Sequence, residues 1–321
     1  MIIKSADDKS KRIDLLTDLQ KSSMLDARQK DWLREELMRL RRGIQGERDA
    51  AHYIDNHFRD SENNAVLHDL RISVDGEVAQ IDHLIINRTL RFYLLETKCF
   101  NGNVQINDRG EFTVAYSGER AFGVESPLEQ SRRHERILSK LLDRLEITGR
   151  MGVKANFFHA ALLHPKAIIT RPDKKKFDTD DVIKADQIGT WHQAHIDRTV
   201  GVVGAFAGLL NVHSPQTARE WAEKLARQHR PTNPLDLPDF MKPREAANPK
   251  PAVASRSASV AVQAASPASA NSEAPPEALR KKLVCVTCRQ KITFPEGKFC
   301  WGNEARFGGF QYCREHQAQF K

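Results

Sequence analysis

The abrupt change in texture after Met241 constrains this chain more than any other feature. Residues 242–279 are dominated by Ala, Ser and Pro and contain no aromatic residue, so they cannot bury enough apolar surface to offset the entropy of ordering them. The tract reads as a disordered linker, and whatever folds on either side of it must do so separately. Ahead of it there is enough chain for a sizeable core. Behind it, residues 280–321 regain aromatics and carry four of the five cysteines.

Those cysteines have metal-ligand spacing. Cys285-Val286-Thr287-Cys288 and Cys313-Arg314-Glu315-His316 repeat the two-residue interval of zinc knuckles that close one tetrahedral site. Cys300 is the alternative ligand, in place of His316. A segment this small needs the ion to fold, and five cysteines so clustered do not make a disulfide framework. Cys99 reads as a small filler.

The charge is also uneven. Lys and Arg number 50 against 42 Asp and Glu, and the excess gathers in 280–321, with nine basic and three acidic residues. A basic tail around a zinc site suits a polyanion. Lys281, Lys282, Arg306 and Arg314 are its candidate phosphate contacts. Trp301, Phe307, Phe310 and Tyr312 either stack on bases or form the tail's own small core. The longest apolar stretch, 199–212, is shorter than the roughly 20 residues of a membrane span, and the first residues lack the apolar core of a signal peptide. A cytoplasmic protein without membrane contact is expected.

Hydrophobic spacing predicts one or two helices over Ser10–Arg42, a break at Gly43–Glu47, and a further helix to Phe58. Strands are predicted over Ala65–Val74, Val78–Asn87, Leu90–Lys98, Asn103–Ile106, Glu111–Tyr116 and Phe157–Leu163. Ser126-Pro127 starts a helix that reaches about Leu145, and further helices are predicted over Thr190–Val212 and Pro215–Gln228.

The second and third strands carry the chemistry. With Thr89 at the centre of a three-residue loop, Ile86 opposes Phe92, Leu84 opposes Leu94, and Asp82 opposes Glu96. Strand alternation then puts Asp82, Glu96 and Lys98 together at the end of an apolar face. Opposed carboxylates need a proton or cation between them, and hard oxygen donors select Mg²⁺ or Mn²⁺. Such an ion activates water and polarises a phosphodiester, while Lys98 orients the water or offsets charge at phosphorus. Glu47, near a helix start, adds a carboxylate on the ion or behind its ligands. Gln130 and His134, one helical turn apart, complete the rim, and His68 and His83 read as ordinary sheet positions.

Taken in order, Gly46-Glu47, His68-Asp69-Leu70, Gln80-Ile81-Asp82-His83-Leu84, Leu95-Glu96-Thr97-Lys98 with Gly102, and Pro127-Leu128-Glu129-Gln130 with His134 resemble the nuclease-related domain (NERD) of the PD-(D/E)xK nuclease superfamily. The resemblance covers about residues 43–145. It implies an α/β fold, a restriction-endonuclease-like mixed sheet flanked by helices. It also implies that Asp82, Glu96 and Lys98 match the catalytic residues, Glu47 the helical glutamate and Gln130 the helix glutamine. More loosely, the tail resembles the zinc ribbons of DNA-processing enzymes.

The expected organisation is a helical segment (1–42), a nuclease-like domain (43–241), the linker (242–279) and a zinc-ribbon-like domain (280–321). The expected activity is Mg²⁺- or Mn²⁺-dependent hydrolysis of nucleic acid, DNA favoured over RNA. The competing reading is a non-catalytic adaptor that binds nucleic acid or protein and keeps only the fold.

Overall fold

Three consecutive runs rich in β-branched and aromatic residues pair as a meander: β2 (Asn64–Val74), β3 (Glu77–Asn87) and β4 (Arg91–Lys98). The structure is a computed structural model, which describes residues 1–100, 102–115, 121–199, 212–241, 283–288, 290–301, 303–307 and 310–318. The chain divides into two units, Met1–Ala247 and Asn248–Lys321. The linker 242–279 lies outside the described residues.

In the first unit β1 (Ile2–Lys4), α1 (Ser10–Lys21) and α2 (Ala27–Phe58) precede the meander. After it come β5 (Asn103–Ile106), β6 (Phe112–Ala115), β7 (Phe122–Val124), α3 (Pro127–Arg144), β8 (Asn156–Leu163), β9 (Ile169–Thr170), β10 (Val182–Lys184), α4 (Ile188–Thr199) and α5 (Pro215–Ala226). Six strands form a mixed sheet in the order β1-β2-β3-β4-β8-β10, and a smaller sheet has the order β7-β6-β5-β9. The architecture is the expected mixed sheet flanked by helices.

Both faces of the large sheet are covered. On one, Leu84, Ile86, Phe92 and Leu94 pack with Ile137, Leu138, Leu141 and Leu142 of α3 and with Trp221 and Leu225 of α5. On the other, Val66, Ile85, Tyr93 and Leu95 pack with Ala50, Ile54 and Phe58 of α2 and with Trp191 of α4. The end of the sheet is thus flanked by α2 on one side and α3 on the other. The β3–β4 register is the anticipated one, from Asn87 opposite Arg91 to His83 opposite Leu95. Leu90 has φ +59° and closes the three-residue loop in a left-handed conformation, as such hairpins require.

Two helix expectations change. The break at Gly43–Glu47 is absent, because α2 runs unbroken from a capping box at Asp26 and Gln29 to Phe58. A helical glycine costs about 1 kcal/mol relative to alanine, and here packing outweighs it. A Cβ at Gly46 would lie 2.7 Å from Cys99 Cβ, so α2 approaches the end of β4 at a distance only glycine permits. Segment 1–42 is therefore joined to the body of the unit by one continuous helix. The helix predicted over Thr190–Val212 is α4, Ile188–Thr199, and positions 200–211 lie outside the described residues.

The second unit holds short helices, α6 (Phe294–Trp301), α7 (Glu304–Phe307) and α8 (Arg314–Gln317). Among its described residues there is one β-bridge, Val284 to Lys291, so the cysteine pairs sit on turns and a helix start rather than on the strands of a ribbon. Phe307 and Tyr312, 2% and 8% exposed, join Cys285, Ile292 and Cys300 in its core. They are therefore withdrawn from base stacking. Trp301 stays 42% exposed, and Phe310 is half-buried.

Candidate active site

The hydrogen-bonded ladder between β3 and β4 ends at His83 and Leu95, and the next positions in register are Asp82 and Glu96. On the other side of β3, His68 pairs His83 and Leu70 pairs Ile81, so Asp69 lies across from Asp82. Asp69 has φ +52°, and the alternation of both strands inverts here. Leu67 and Leu70, like Ile81 and Leu84, face the same core. The inversion opens the sheet at one row and leaves three neighbouring strands with Asp69, Asp82 and Glu96 side by side.

Asp82, Glu96, Lys98, Gln130, His134 and Glu47 line one cleft of about 520 Å³. Lys98 Nζ donates to Glu96 Oε1 at 2.8 Å and to Gln130 Oε1 at 2.9 Å, so α3 fixes the ammonium through Gln130. Asp82 Oδ2 accepts from the Thr97 N–H at 2.8 Å. His134 Nδ1 lies 3.8 Å from Glu96 Oε2. Among the described residues, Asp82 Oδ1, Glu96 Oε2 and Glu47 Oε1 accept no hydrogen bond, and those oxygens are the available donors of the cleft. Glu47 stands in the middle of α2, not near a helix start, so a favourable charge at a helix end does not explain it.

The electrostatics suit the binding of a cation. Asp82 keeps some accessible surface, yet protein surrounds its carboxylate, and desolvation followed by the charges of Glu96 and Glu47 pushes its pKa well above the ordinary value. Glu96, 3% exposed, is raised by burial, with Lys98 opposing. Glu47 is raised by burial, with Lys9 opposing. His134 is pulled down to about 4 by burial and the cations Arg133 and Lys98, so it is neutral at pH 7. Oxygen donors that hold their protons too tightly fit a divalent ion, which would relieve the same repulsion.

Sequence reasoning passed over the support behind the cleft. His68 and His83 meet at 2.7 Å between their Nδ1 atoms; His68 Nε2 lies 3.0 Å from Asp55 Oδ1, and His83 Nε2 lies 3.1 Å from Thr97 Oγ1. Burial holds both imidazoles below their usual pKa. With both neutral, only one donor order satisfies every partner: Thr97 O–H donates to His83, His83 to His68, and His68 to Asp55. This chain of hydrogen bonds holds the stretch of β4 whose backbone grips Asp82. Asp69 was also missed as a site residue. The opposition of Asp69 to Asp82 could have been found by extending the register argument to β2.

Residues 42–164 match the family model of the nuclease-related domain. The match contains Glu47, Asp69, Asp82, Glu96, Lys98, Gln130 and His134, and it supports a nuclease-related function for this unit. Comparison with curated proteins finds no match, and comparison with solved structures finds none. Among the described residues no helix is long and apolar enough to cross a membrane.

In the second unit, one ligand atom from each of Cys285, Cys288, Cys313 and His316 lies within 4.8 Å of every other. Cys288 Sγ and Cys313 Sγ are 3.8 Å apart, and a tetrahedral ion with metal–sulfur bonds of about 2.3 Å needs an edge of about 3.8 Å. Burial would push the Cys285 thiol up, but the backbone N–H groups of Cys288 and Cys313 bring it down to about 6, as suits a thiolate ligand. The group is compatible with zinc. Cys300 is outside it, buried with its sulfur against the Tyr312 N–H at 3.3 Å and the Gln317 amide at 3.2 Å. Arg306 and Arg314 are exposed, with Arg306 over the Phe307 ring. Lys281 and Lys282 lie outside the described residues.

Proposed function

We propose that the protein is a PD-(D/E)xK-type nuclease that hydrolyses phosphodiester bonds in DNA with Mg²⁺ or Mn²⁺, and that it acts in the cytoplasm. The observation that carries this reading is the convergence of Asp82, Glu96, Lys98 and Gln130 in one cleft of the unit that matches the nuclease-related domain. A scaffold gains nothing from carboxylates held this close.

Asp82 Oδ1 and Glu96 Oε2 would hold the divalent ion, which when bound supplies Lewis-acid stabilisation and a lowered water pKa. Lys98, anchored by Glu96 and Gln130, orients the attacking water and offsets the charge that develops on the phosphoryl oxygens. Thr97, braced by the histidine pair, keeps Asp82 aimed at the cleft. Arg39 and Arg42, which line the same cleft, bind the flanking phosphates. A basic zinc tail, with Zn²⁺ on Cys285, Cys288, Cys313 and His316, retains nucleic acid near the cleft by way of a linker that raises local concentration. Arg306, Arg314, Lys281 and Lys282 contribute its phosphate contacts.

The test is incubation of the purified protein with circular and linear, single- and double-stranded DNA, in Mg²⁺ or Mn²⁺. Metal-dependent product supports the reading. Binding without cleavage of any of these substrates supports the adaptor instead.

A further inference from the structure

Lys9 lies ahead of α1, outside the segment that matches the nuclease-related domain, yet its ammonium sits in the carboxylate row. Lys9 Nζ is 2.9 Å from Glu47 Oε2 and 3.3 Å from Asp69 Oδ2. Its side chain is only 22% exposed. We infer that Lys9 is a built-in second cation: its ammonium occupies the place beside Glu47 and Asp69 where a second divalent ion would bind, so this site takes one divalent ion and not two. The inference rests on the metal-dependent reading above and specifies how many ions that site holds.

The geometry separates the four carboxylates into two sets. Both oxygens of Asp69 are engaged by the chain's own donors: Oδ1 accepts from Gln80 Nε2 at 2.8 Å, and Oδ2 accepts from the Asp7 N–H at 3.3 Å and faces Lys9. Glu47 Oε2 is likewise taken by Lys9. The oxygens that accept no hydrogen bond among the described residues are one each of Asp82, Glu96 and Glu47, and all three residues line the cleft that holds Lys98 and Gln130. One end of the row is closed by a lysine and the other is open.

The charge count agrees. Within the row itself, Glu47, Asp69, Asp82 and Glu96 bring four negative charges, and the two ammonium groups in contact with them, Lys9 and Lys98, answer two; Arg39 and Arg42 line the same cleft and are left to the substrate's phosphates. The remaining two negative charges are what one divalent ion neutralises. A second divalent ion beside Lys9 would meet an ammonium at close range, and both oxygens of Asp69 already accept from the chain's own donors.

Lys9 is not a loose surface lysine that strays into the cleft. The segment that carries it is pinned to β2 by parallel pairing of β1, by Lys4 Nζ, which donates to the His68 carbonyl at 3.0 Å, and by Asp7, whose Oδ2 lies 2.8 Å from His229 Nε2.

The test counts bound Mn²⁺ by electron paramagnetic resonance on the full-length, zinc-loaded protein. Wild type and Lys9→Arg should each bind one Mn²⁺ with the spectrum of an isolated ion. Lys9→Gln and Lys9→Met, checked for native circular dichroism, should bind two, with the coupled spectrum of ions about 3.5–4 Å apart. Lys9→Gln/Asp69→Asn should return to one. If the lysine merely ties down the N-terminal segment, both uncharged variants lose stability and still bind one ion, which overturns the inference and leaves the metal-dependent reading intact. Two ions in wild type overturn it equally. No Mn²⁺ in wild type overturns the metal-dependent reading and the inference together.

Discussion

Gly46→Ala is the substitution whose effect differs most between the isolated helix and the folded protein. In a helix interior alanine is favoured over glycine by about 1 kcal/mol. Here the added Cβ would stand 2.7 Å from Cys99 Cβ, where carbon atoms prefer about 3.5–4.0 Å. The helix and the end of β4 must therefore separate by about 1 Å, an overpacking cost of about 1–3 kcal/mol. The net effect on stability ranges from near zero to a loss of about 2 kcal/mol. Function should suffer more than stability, because Glu47 is the next residue and Lys98 precedes Cys99. A misplacement of about 1 Å in such groups can lower turnover about 100-fold. Urea denaturation and cleavage rates read the two effects, and Cys99 supplies the control. Cys99→Ala keeps the offending Cβ and should not relieve the clash. Cys99→Gly removes it, and in that background Gly46→Ala should stabilise by about 1 kcal/mol and restore cleavage. If Gly46→Ala stabilises the wild-type chain by its full helical increment and cleavage is unchanged, the close approach of α2 to β4 is refuted.

The same geometry sets three further outcomes. Because the folded Asp82 carboxyl holds its proton more tightly than the ordinary Asp value of 3.8, stability without divalent ions should fall as pH rises from that value through the raised one. Asp82→Asn should flatten this limb and be the more stable at pH 7, whereas Mn²⁺ at about 100 times its Kd should return about 2.7 kcal/mol to the wild type; urea midpoints across pH check both. Purified protein should contain about one zinc per chain, lost in Cys285→Ser, Cys313→Ser and His316→Ala but kept in Cys300→Ala, by metal analysis. Truncation after Glu277 should weaken DNA binding and flatten its log–log salt dependence by about 0.7–0.9 for each phosphate the tail neutralises, with turnover at saturating DNA preserved; an unchanged slope removes the tail as tether.

The parts of the site that were legible in the sequence are those fixed by local rules. The loop around Thr89 sets the β3–β4 register, and the register brings Asp82 to Glu96 and Lys98. Ser126 and Pro127 start α3, and the helical repeat then delivers Gln130 to Lys98 and His134 to the rim. What escaped depends on contacts distant in sequence. Gly43 and Gly46 signal a break, but the packing of α2 on β4 keeps the helix intact and moves Glu47 from a helix start to its middle. For Asp69 the position opposite Asp82 follows from the β2–β3 register set by the short turn at Asp75 and Gly76, whereas the joint inversion of alternation in both strands lies outside period-two reasoning. Lys9 reaches it through the pairing of β1 with β2, and a three-residue strand leaves little periodicity to detect. In the tail, equal knuckle spacing drew attention to His316, while the burial of Phe307 and Tyr312 comes only from the packing of the unit.

The proposed chemistry has Asp82, Glu96 and Lys98 acting together on a phosphodiester. The most direct measurement is single-turnover cleavage of DNA in Mg²⁺ or Mn²⁺ by wild type, Asp82→Asn, Glu96→Gln and Lys98→Met, each at saturating DNA occupancy. Wild type should cleave in a metal-dependent way and every variant should lose at least about 100-fold, with folding and DNA binding retained. Equal cleavage by all four proteins would contradict that chemistry.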